Sequence, residues 1–367
     1  MTPRVLVITT VHSPDDTRIR ERLIRTLSAT FDVTYATKEP RPSDTSGLSY
    51  HPLRGGRLFR NLQALILALR GRWEILILHD PETIPAGIVA RFVRRRPVVF
   101  DVHEDLPAQI GQKTWIPRAL RPLMRWSSRK LFSLAERFLL LTLAEPGYSK
   151  LFKKSHPVFP NYPKTTEWPS PKEQRDGGAV YLGDVQPDRG ISDAISACAR
   201  VGIPLTVIGR YPPEFGEQLT RQAQSESVEL TLVGHLSNPE AVEMMSRASV
   251  GLSPLRDVPN YRYSLPSKTL EYLAMGVPVV ATDLPGTREV VGNLDAVALV
   301  PPGDIDAMAH ALQESVTPSS VENARADART VRDRFAWPDD RVRFFYTSRL
   351  DVLTEKDSTP STPTSGN

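Results

Sequence analysis

Short apolar runs and amphipathic stretches alternate along the chain in two successive series. Arg4–Thr9 is an apolar strand, and Ile19, Leu23, Ile24 and Leu27 recur at helical spacing across 17–29. Asp32–Ala36 reads as a second strand, and helical spacing returns at Leu58–Leu69 after a polar, proline-containing stretch to Gly56. Trp73–His79 and Pro97–Val102 are buried strands separated by a helix to Val93, and Arg137–Leu143 is a further strand. A second series begins at Ala179, with strands at Pro204–Gly209, Glu229–Gly234, Ser249–Ser253, Val277–Ala281 and Ala296–Val300 and helices between them. Helical segments at Asp304–Glu314, 319–334 and 337–353 complete it. Strands alternating with helices predict two α/β domains, each a doubly wound, Rossmann-like parallel sheet, facing each other across a cleft. The expected boundaries are 1–162, a hinge at 163–177, 178–336, a helix at 337–353 crossing back to the first domain, and a Ser/Thr/Pro-rich disordered tail at 354–367.

A length of 367 residues accommodates two such cores. With 40% hydrophobic and 24% charged residues, the composition is that of a globular protein. A lone cysteine, Cys198 in an apolar helical setting, excludes a disulfide framework and reads as a core residue. The chain enters its first strand directly and holds no apolar run of about 18 residues, so a cytoplasmic protein is expected. A net charge of +4 permits phosphorylated ligands or an anionic membrane surface, and no nucleic-acid-binding module accompanies it. Arg118, Arg121, Arg125 and Arg129 fall at helical spacing among Leu120, Met124, Trp126 and Leu131. That segment, 118–131, suits either a peripheral membrane contact or a core helix with solvated arginines.

Candidate chemistry gathers where strands end. The loop after the first strand, HSPDDTR, offers His12, Asp16 and Arg18 at the end of the sheet where doubly wound folds bind ligands. Asp16 or Thr17 also suits the cap of the following helix, with Thr17 favoured. Two more strands deliver His79-Asp80 and Asp101-Val102-His103-Glu104 into loops, which points to one polar crevice. A histidine there can donate to a developing phosphate charge, with a neighbouring carboxylate fixing its tautomer.

The stretch from Asn260 to Gly286, NYRYSLPSKTLEYLAMGVPVVATDLPG, carries the most information. Ser264 and Pro266 open a short helix, Gly276 suits its left-handed cap, and an apolar strand and the loop Thr282–Gly286 follow. The first helical turn offers unpaired N–H groups and the positive end of a dipole, so a phosphate or diphosphate is favoured there, with Lys268 adding charge. Glu271, one turn on, suits sugar hydroxyls. In the YLGDVQPDRGISDAI segment a glycine turn at Gly183 precedes a helix, with Arg189 beside its start.

The segment PSKTLEYLAMGVPVVATDLPG resembles the donor-binding signature of glycosyltransferase family 4, retaining enzymes of the glycosyltransferase B fold. In many members two glutamates flank this helix start, one near the transferred sugar and one on the nucleotide ribose. Glu271 matches the second, and Tyr263 stands in place of the first; a subgroup with the pattern P-x-K-x-x-E-Y-x-A-x-G also lacks that first glutamate. DVHE resembles the family's amino-domain signature, which places His103, and with it Glu104, at the transferred sugar and its leaving phosphate. Arg189 matches the family's diphosphate lysine, while Asp184 occupies the position where an arginine is common. With the resemblance, donor contacts are expected from Gly183, Arg210, Tyr263, Lys268, Thr269, Pro285 and Gly286 and base stacking near His235 and Leu236, while the strand-end position makes His12, Asp16, Arg18 and His79 the candidates for acceptor contact. The resemblance implies sugar transfer from a nucleoside-diphosphate sugar, a co-substrate and no bound cofactor or metal, to a saccharide or lipid-linked acceptor in cell-envelope polysaccharide or glycolipid synthesis. Alternatives within the reading are a nucleotide-sugar 2-epimerase of the same fold and a non-catalytic nucleotide-sugar-binding subunit.

Overall fold

A computed structural model describes residues 2–39, 48–112, 116–172, 175, 177–259 and 261–357. The chain divides into two compact units, Met1–Pro160 together with Pro338–Asn367, and Asn161–Trp337. Each is built on a six-stranded, wholly parallel sheet with helices in the crossovers.

In the first unit the strands are β1 (Arg4–Ile8), β2 (Asp32–Lys38), β3 (Ser49–Leu53), β4 (Ile75–Leu78), β5 (Val98–Val102) and β6 (Leu140–Leu143), ordered β3-β2-β1-β4-β5-β6. The central strands are near-continuous aliphatic runs because helices cover both faces of the sheet. β4, with the sequence ILIL, is buried at every position. The order reverses beside β1, so the loops after β1 and β4 flank the switch point where ligands bind in such sheets. β3 falls in the stretch read as polar. Its sequence SYHPL breaks the apolar pattern and carries Pro52, which an edge strand tolerates.

The segment after β1 is a π-helical stretch, Thr17–Ile24, running into one α-turn, Arg25–Ser28. Its cap is Asp16, not Thr17: the Asp16 carboxylate accepts from the N–H groups of Arg18 and Ile19, each at 3.0 Å. The helices Arg57–Arg70, Ile84–Arg94 and Arg121–Phe138 connect β3 through β6. The last helix, Asp339–Asp357, packs in this unit through Phe345, whose ring meets Phe159 at 5.7 Å. It extends beyond 353, and the tail read as disordered lies outside the described residues from 358 onward.

In the second unit the strands are β7 (Ala179–Leu182), β8 (Leu205–Ile208), β9 (Leu230–Gly234), β10 (Val250–Ser253), β11 (Val279–Thr282) and β12 (Val297–Val300), ordered β12-β11-β10-β7-β8-β9. The switch lies between β7 and β10, and the Gly183 turn and the segment leading to the helix Ser267–Ala274 follow those two strands. Gly276 takes the left-handed conformation at φ +66°, ending that helix as its sequence predicts. Thr282–Gly286 is not all loop: Pro285 opens the helix Pro285–Val291, the position where proline's missing N–H costs nothing. Cys198 is buried among apolar neighbours, and burial pushes its thiol up to about 12.

Candidate active site

The second unit gathers cations and hydroxyls around the start of the helix Ser267–Ala274. Lys268 is the second residue of the helix Ser267–Ala274, and its side chain folds back across the ring of Tyr181 with Nζ 3.9 Å from the ring centre. The side chain as a whole is half-buried, but Nζ is enclosed and has no hydrogen-bond partner. Burial drives its pKa well below the ordinary lysine value, and the charge of Arg189 adds to the effect against the weaker pull of Glu271 and Asp184. Next to it, Thr269 is fully buried with its Oγ1 unpartnered. The backbone N–H groups of Lys268 and Thr269 find no acceptor among the described residues.

Glycine turns bring the backbone up to this helix start. Gly183, at φ +128°, lies directly beneath the ammonium: a Cβ there would sit 3.4 Å from Lys268 Nζ. Gly209 packs on it so closely that a Cβ would lie 1.9 Å from the Gly183 carbonyl oxygen. Arg189 ends a 3₁₀ turn, Pro187–Arg189, and its guanidinium lies 4.5 Å over the ring of Tyr261, whose hydroxyl donates to Asp188 at 2.9 Å. The Nε of Arg189 is buried without a partner. Three buried polar atoms, Lys268 Nζ, Thr269 Oγ1 and Arg189 Nε, are thus unsatisfied in a region built from two glycine turns and a helix N-terminus. Grouped at a helix N-terminus, two cationic nitrogens and a hydroxyl suit an anionic acceptor.

Sequence reasoning missed the residue that holds this assembly. Tyr272, next to Glu271, points inward: its hydroxyl accepts from the Leu182 N–H at 2.6 Å and reaches the Leu252 carbonyl at 3.4 Å. Its ring lies over Gly251, where a Cβ would fall 2.4 Å from the ring. Tyr272 therefore clamps the ends of β7 and β10 to the helix that carries Lys268. Glu271 is half-buried one turn after Lys268. Of the other expected donor contacts, Gly286 is buried and locked by its N–H to the Arg262 carbonyl at 2.7 Å, while Pro285 is exposed. Tyr263 is 70% exposed, and Arg210 is exposed beside His235, 3.4 Å from its Nε2.

The first unit gathers His12, Asp16, Arg18, His79 and His103 around two buried carboxylates. His103 Nε2 is 2.7 Å from Asp101 Oδ2, 3.0 Å from His79 Nδ1 and 3.3 Å from Arg18 Nε. The carboxylate that fixes His103 is Asp101 and not the exposed Glu104, because residues two apart in an extended strand share a face and their immediate neighbours do not. The 2.7 Å contact ties His103 Nε2 to the Asp101 carboxylate and so fixes the orientation of the ring. Tyr148 secures the backbone here by donating to the His103 carbonyl at 2.9 Å.

Arg18 and His79, expected to touch an acceptor, are turned inward. Arg18 is 5% exposed and grips Asp101 through Nε and a terminal nitrogen at 3.0 and 2.9 Å, with its other nitrogen on the Phe159 carbonyl at 2.7 Å. Burial opposes the Asp101 charge, but Arg18 and His103 hold the carboxyl well below the usual range. His79 is buried, which together with the charge of His103 pushes its pKa well down, and its Nε2 has no partner. Both side chains therefore position His103. His79, Asp101 and His103 are also close enough to share a cation, but the Arg18 guanidinium already sits on Asp101 Oδ2 and beside His103 Nε2.

His12, like Asp16, is only half-buried. Its ring meets His103 edge-on at 5.1 Å and lies 3.4 Å from Asp16 and 3.5 Å from Asp80. Burial lowers its pKa, but the hydrogen bond and charge of Asp16, with Asp80 and Glu104, outweigh that and raise it to about 9. Asp80 in turn holds the loop after β1, accepting from Thr9 Oγ1 at 2.9 Å and the Thr10 N–H at 2.5 Å.

Residues 178–317, which contain Gly183, Arg189, Lys268 and Glu271, match the family model described as glycosyl transferases group 1. Across the longer chain, a glycogen synthase of Mycobacterium tuberculosis is 26% identical over 237 residues, covering 61% of this chain and 53% of that protein. A phosphatidyl-myo-inositol mannosyltransferase of Mycobacterium leprae is 25% identical over 259 residues, covering 66% of this chain and 64% of that one. The chain thus spans about half to two thirds of the length of these curated relatives. Among solved structures, sucrose-phosphate synthase of Thermosynechococcus elongatus superposes with a TM-score of 0.71 at 16% identity, over 96% of this chain and all (100%) of that one. Anabaena HepE, solved with UDP-glucose, gives a TM-score of 0.71 at 14% identity over 96% and 99% of the two chains. These likenesses show the fold, which is of the GT-B type.

Proposed function

We propose that the chain is a retaining glycosyltransferase that moves a sugar from a nucleoside-diphosphate sugar to a hydroxyl acceptor. The observation that carries the reading is the set of buried, unpartnered groups at the start of the signature helix: Lys268 Nζ, Thr269 Oγ1 and Arg189 Nε. A diphosphate supplies the acceptor oxygens they lack and restores the charge that burial suppresses on Lys268. When the bond from sugar to diphosphate breaks, negative charge grows on the departing phosphate, and these cations and the helix N-terminus are already in place to stabilise it without a bound metal. The acceptor hydroxyl attacks from the same face and its proton passes to the leaving phosphate. Glu271 is assigned to the ribose and His103, held by Asp101, to the transferred sugar. A saccharide or lipid-linked acceptor of cell-envelope synthesis fits this reading, with 118–131 as the point of peripheral membrane contact for a lipid-linked one.

The test is thermal melting with UDP, GDP and ADP, on wild type and Glu271→Ala. Ligand at about 100 times its Kd stabilises by roughly 2.7 kcal/mol, a readily visible shift. A shift with one nucleotide that disappears in Glu271→Ala supports the site and names the base; UDP is the first to try, given the HepE complex. No shift with any of the three sinks the reading. Release of free sugar from the matching donor then separates an enzyme from a nucleotide-sugar-binding subunit, which would bind and release none.

A further inference from the structure

The helices Arg57–Arg70, Ile84–Arg94 and Arg121–Phe138 lie side by side on one face of the first sheet. They connect β3 to β4, β4 to β5 and β5 to β6, successive right-handed crossovers in one direction, which place all three on the same side. The first packs on the second and the second on the third, where Phe92 and Phe138 meet at 5.4 Å.

The outer surface of this layer departs from an ordinary solvated one in two ways. It exposes large apolar side chains on all three helices, among them Leu58 at 87%, Phe92 at 62% and Trp126 at 58%. Within the three helices it also presents no acidic side chain; Glu82, in the turn before the second helix, pairs with Arg57 at 2.6 Å. The three segments read RLFRNLQALILALR, IPAGIVARFVR and RPLMRWSSRKLFSLAERF, and their single carboxylate, Glu136, is buried, accepting from the Lys153 and Lys154 N–H groups and from His156. Arg91, Arg125, Arg129 and Lys130 are exposed, and none has a carboxylate within ion-pair distance among the described residues. A soluble helix surface normally intersperses both signs.

We infer that this three-helix face docks on an anionic lipid bilayer. Exposed aliphatics and Trp126 would enter the headgroup boundary, while the arginines meet lipid phosphates. Among the described residues no helix is long and apolar enough to cross a membrane, so the face lies on the surface. The inference deepens the peripheral contact of 118–131 proposed above by adding two helices to it.

The test is co-sedimentation of the full chain with phosphatidylcholine vesicles, with and without phosphatidylglycerol, at low and high salt. Binding to the anionic vesicles alone, weakened by salt, is expected. Arg125→Glu with Arg129→Glu, and separately Phe92→Ser with Trp126→Ser, should each lower the bound fraction roughly tenfold or more. All four positions are away from the donor cluster, so both variants should keep the nucleotide melting shift of wild type, which certifies their fold. No binding to either vesicle overturns the inference, as does equal binding to neutral vesicles or binding that neither variant weakens. A dimer in solution that is lost in the same variants, without vesicle binding, also overturns it and makes the face an interface between copies. A wild type that binds vesicles but shows no nucleotide shift would sink the donor reading and leave the docking face standing.

Discussion

Removing the Lys268 ammonium should make the protein more stable and a poorer binder of nucleotide. Nζ is enclosed, without a hydrogen-bond partner, 3.9 Å from the centre of the Tyr181 ring. An unsatisfied buried donor costs about 1–3 kcal/mol, and the ring returns only part of that. Lys268→Met keeps the length of the chain and its packing on Tyr181, so a gain of about 1 kcal/mol is expected, or a melting point roughly 2–4 °C higher. The gain should shrink as pH rises. The folded pKa lies below the unfolded one, so between them the unfolded chain binds more protons, and wild type gains stability as pH rises toward the ordinary lysine value near 10.4. Lys268→Met has no such group and lacks that slope. Binding moves the other way: losing a charge-assisted hydrogen bond worth about 1.5–3 kcal/mol weakens the diphosphate roughly 10- to 100-fold. The assay is melting against pH with and without the nucleotide that stabilises wild type, followed by calorimetric titration. A Lys268→Met protein that melts lower than wild type and binds the nucleotide equally well would refute the reasoning on both counts.

The first unit should be sensitive to the Arg18–Asp101 pair: Asp101→Asn leaves a buried guanidinium without its counter-charge and should cost about 3 kcal/mol at neutral pH. Because Asp101 is held well below the usual carboxylate range, its contribution is complete above about pH 4 and lost in stronger acid, so variant and wild type should converge as pH falls in chemical denaturation. His12, raised to about 9, contributes stability that is present below about pH 6.5 and lost as pH rises toward 9; His12→Asn should flatten that decline in a melting series. Gly190→Ala places a Cβ 1.8 Å from the Pro254 carbonyl at φ +74° and should cost more than about 2 kcal/mol, measured by urea unfolding; a neutral effect would mean the turn is not held as described.

Where the sequence pattern is local, it reads through to the structure. The aliphatic runs became the strands of both sheets, and Gly276 ends the signature helix because a left-handed cap is encoded by one residue. What it could not show depends on pairs far apart in the chain. β3 was illegible because an edge strand needs no continuous apolar run. The choice between Glu104 and Asp101 as partner of His103 follows from strand alternation, but the burial of Arg18 against Asp101, 83 residues away, does not. Tyr272 shows both halves of the problem. Adjacent residues on a helix are about 100° apart, so when Glu271 faces outward Tyr272 cannot. That much was readable in the Glu-Tyr pair. That its hydroxyl reaches Leu182, 90 residues earlier, is a property of the strand order alone. The hydroxyl accepts from an amide at the end of β7, immediately before Gly183, so Tyr272→Phe strands that amide and should cost about 1–3 kcal/mol. If the clamp also sets the phosphate turn, nucleotide affinity should fall several-fold although Tyr272 touches no ligand; unchanged affinity with lowered stability would confine Tyr272 to the core.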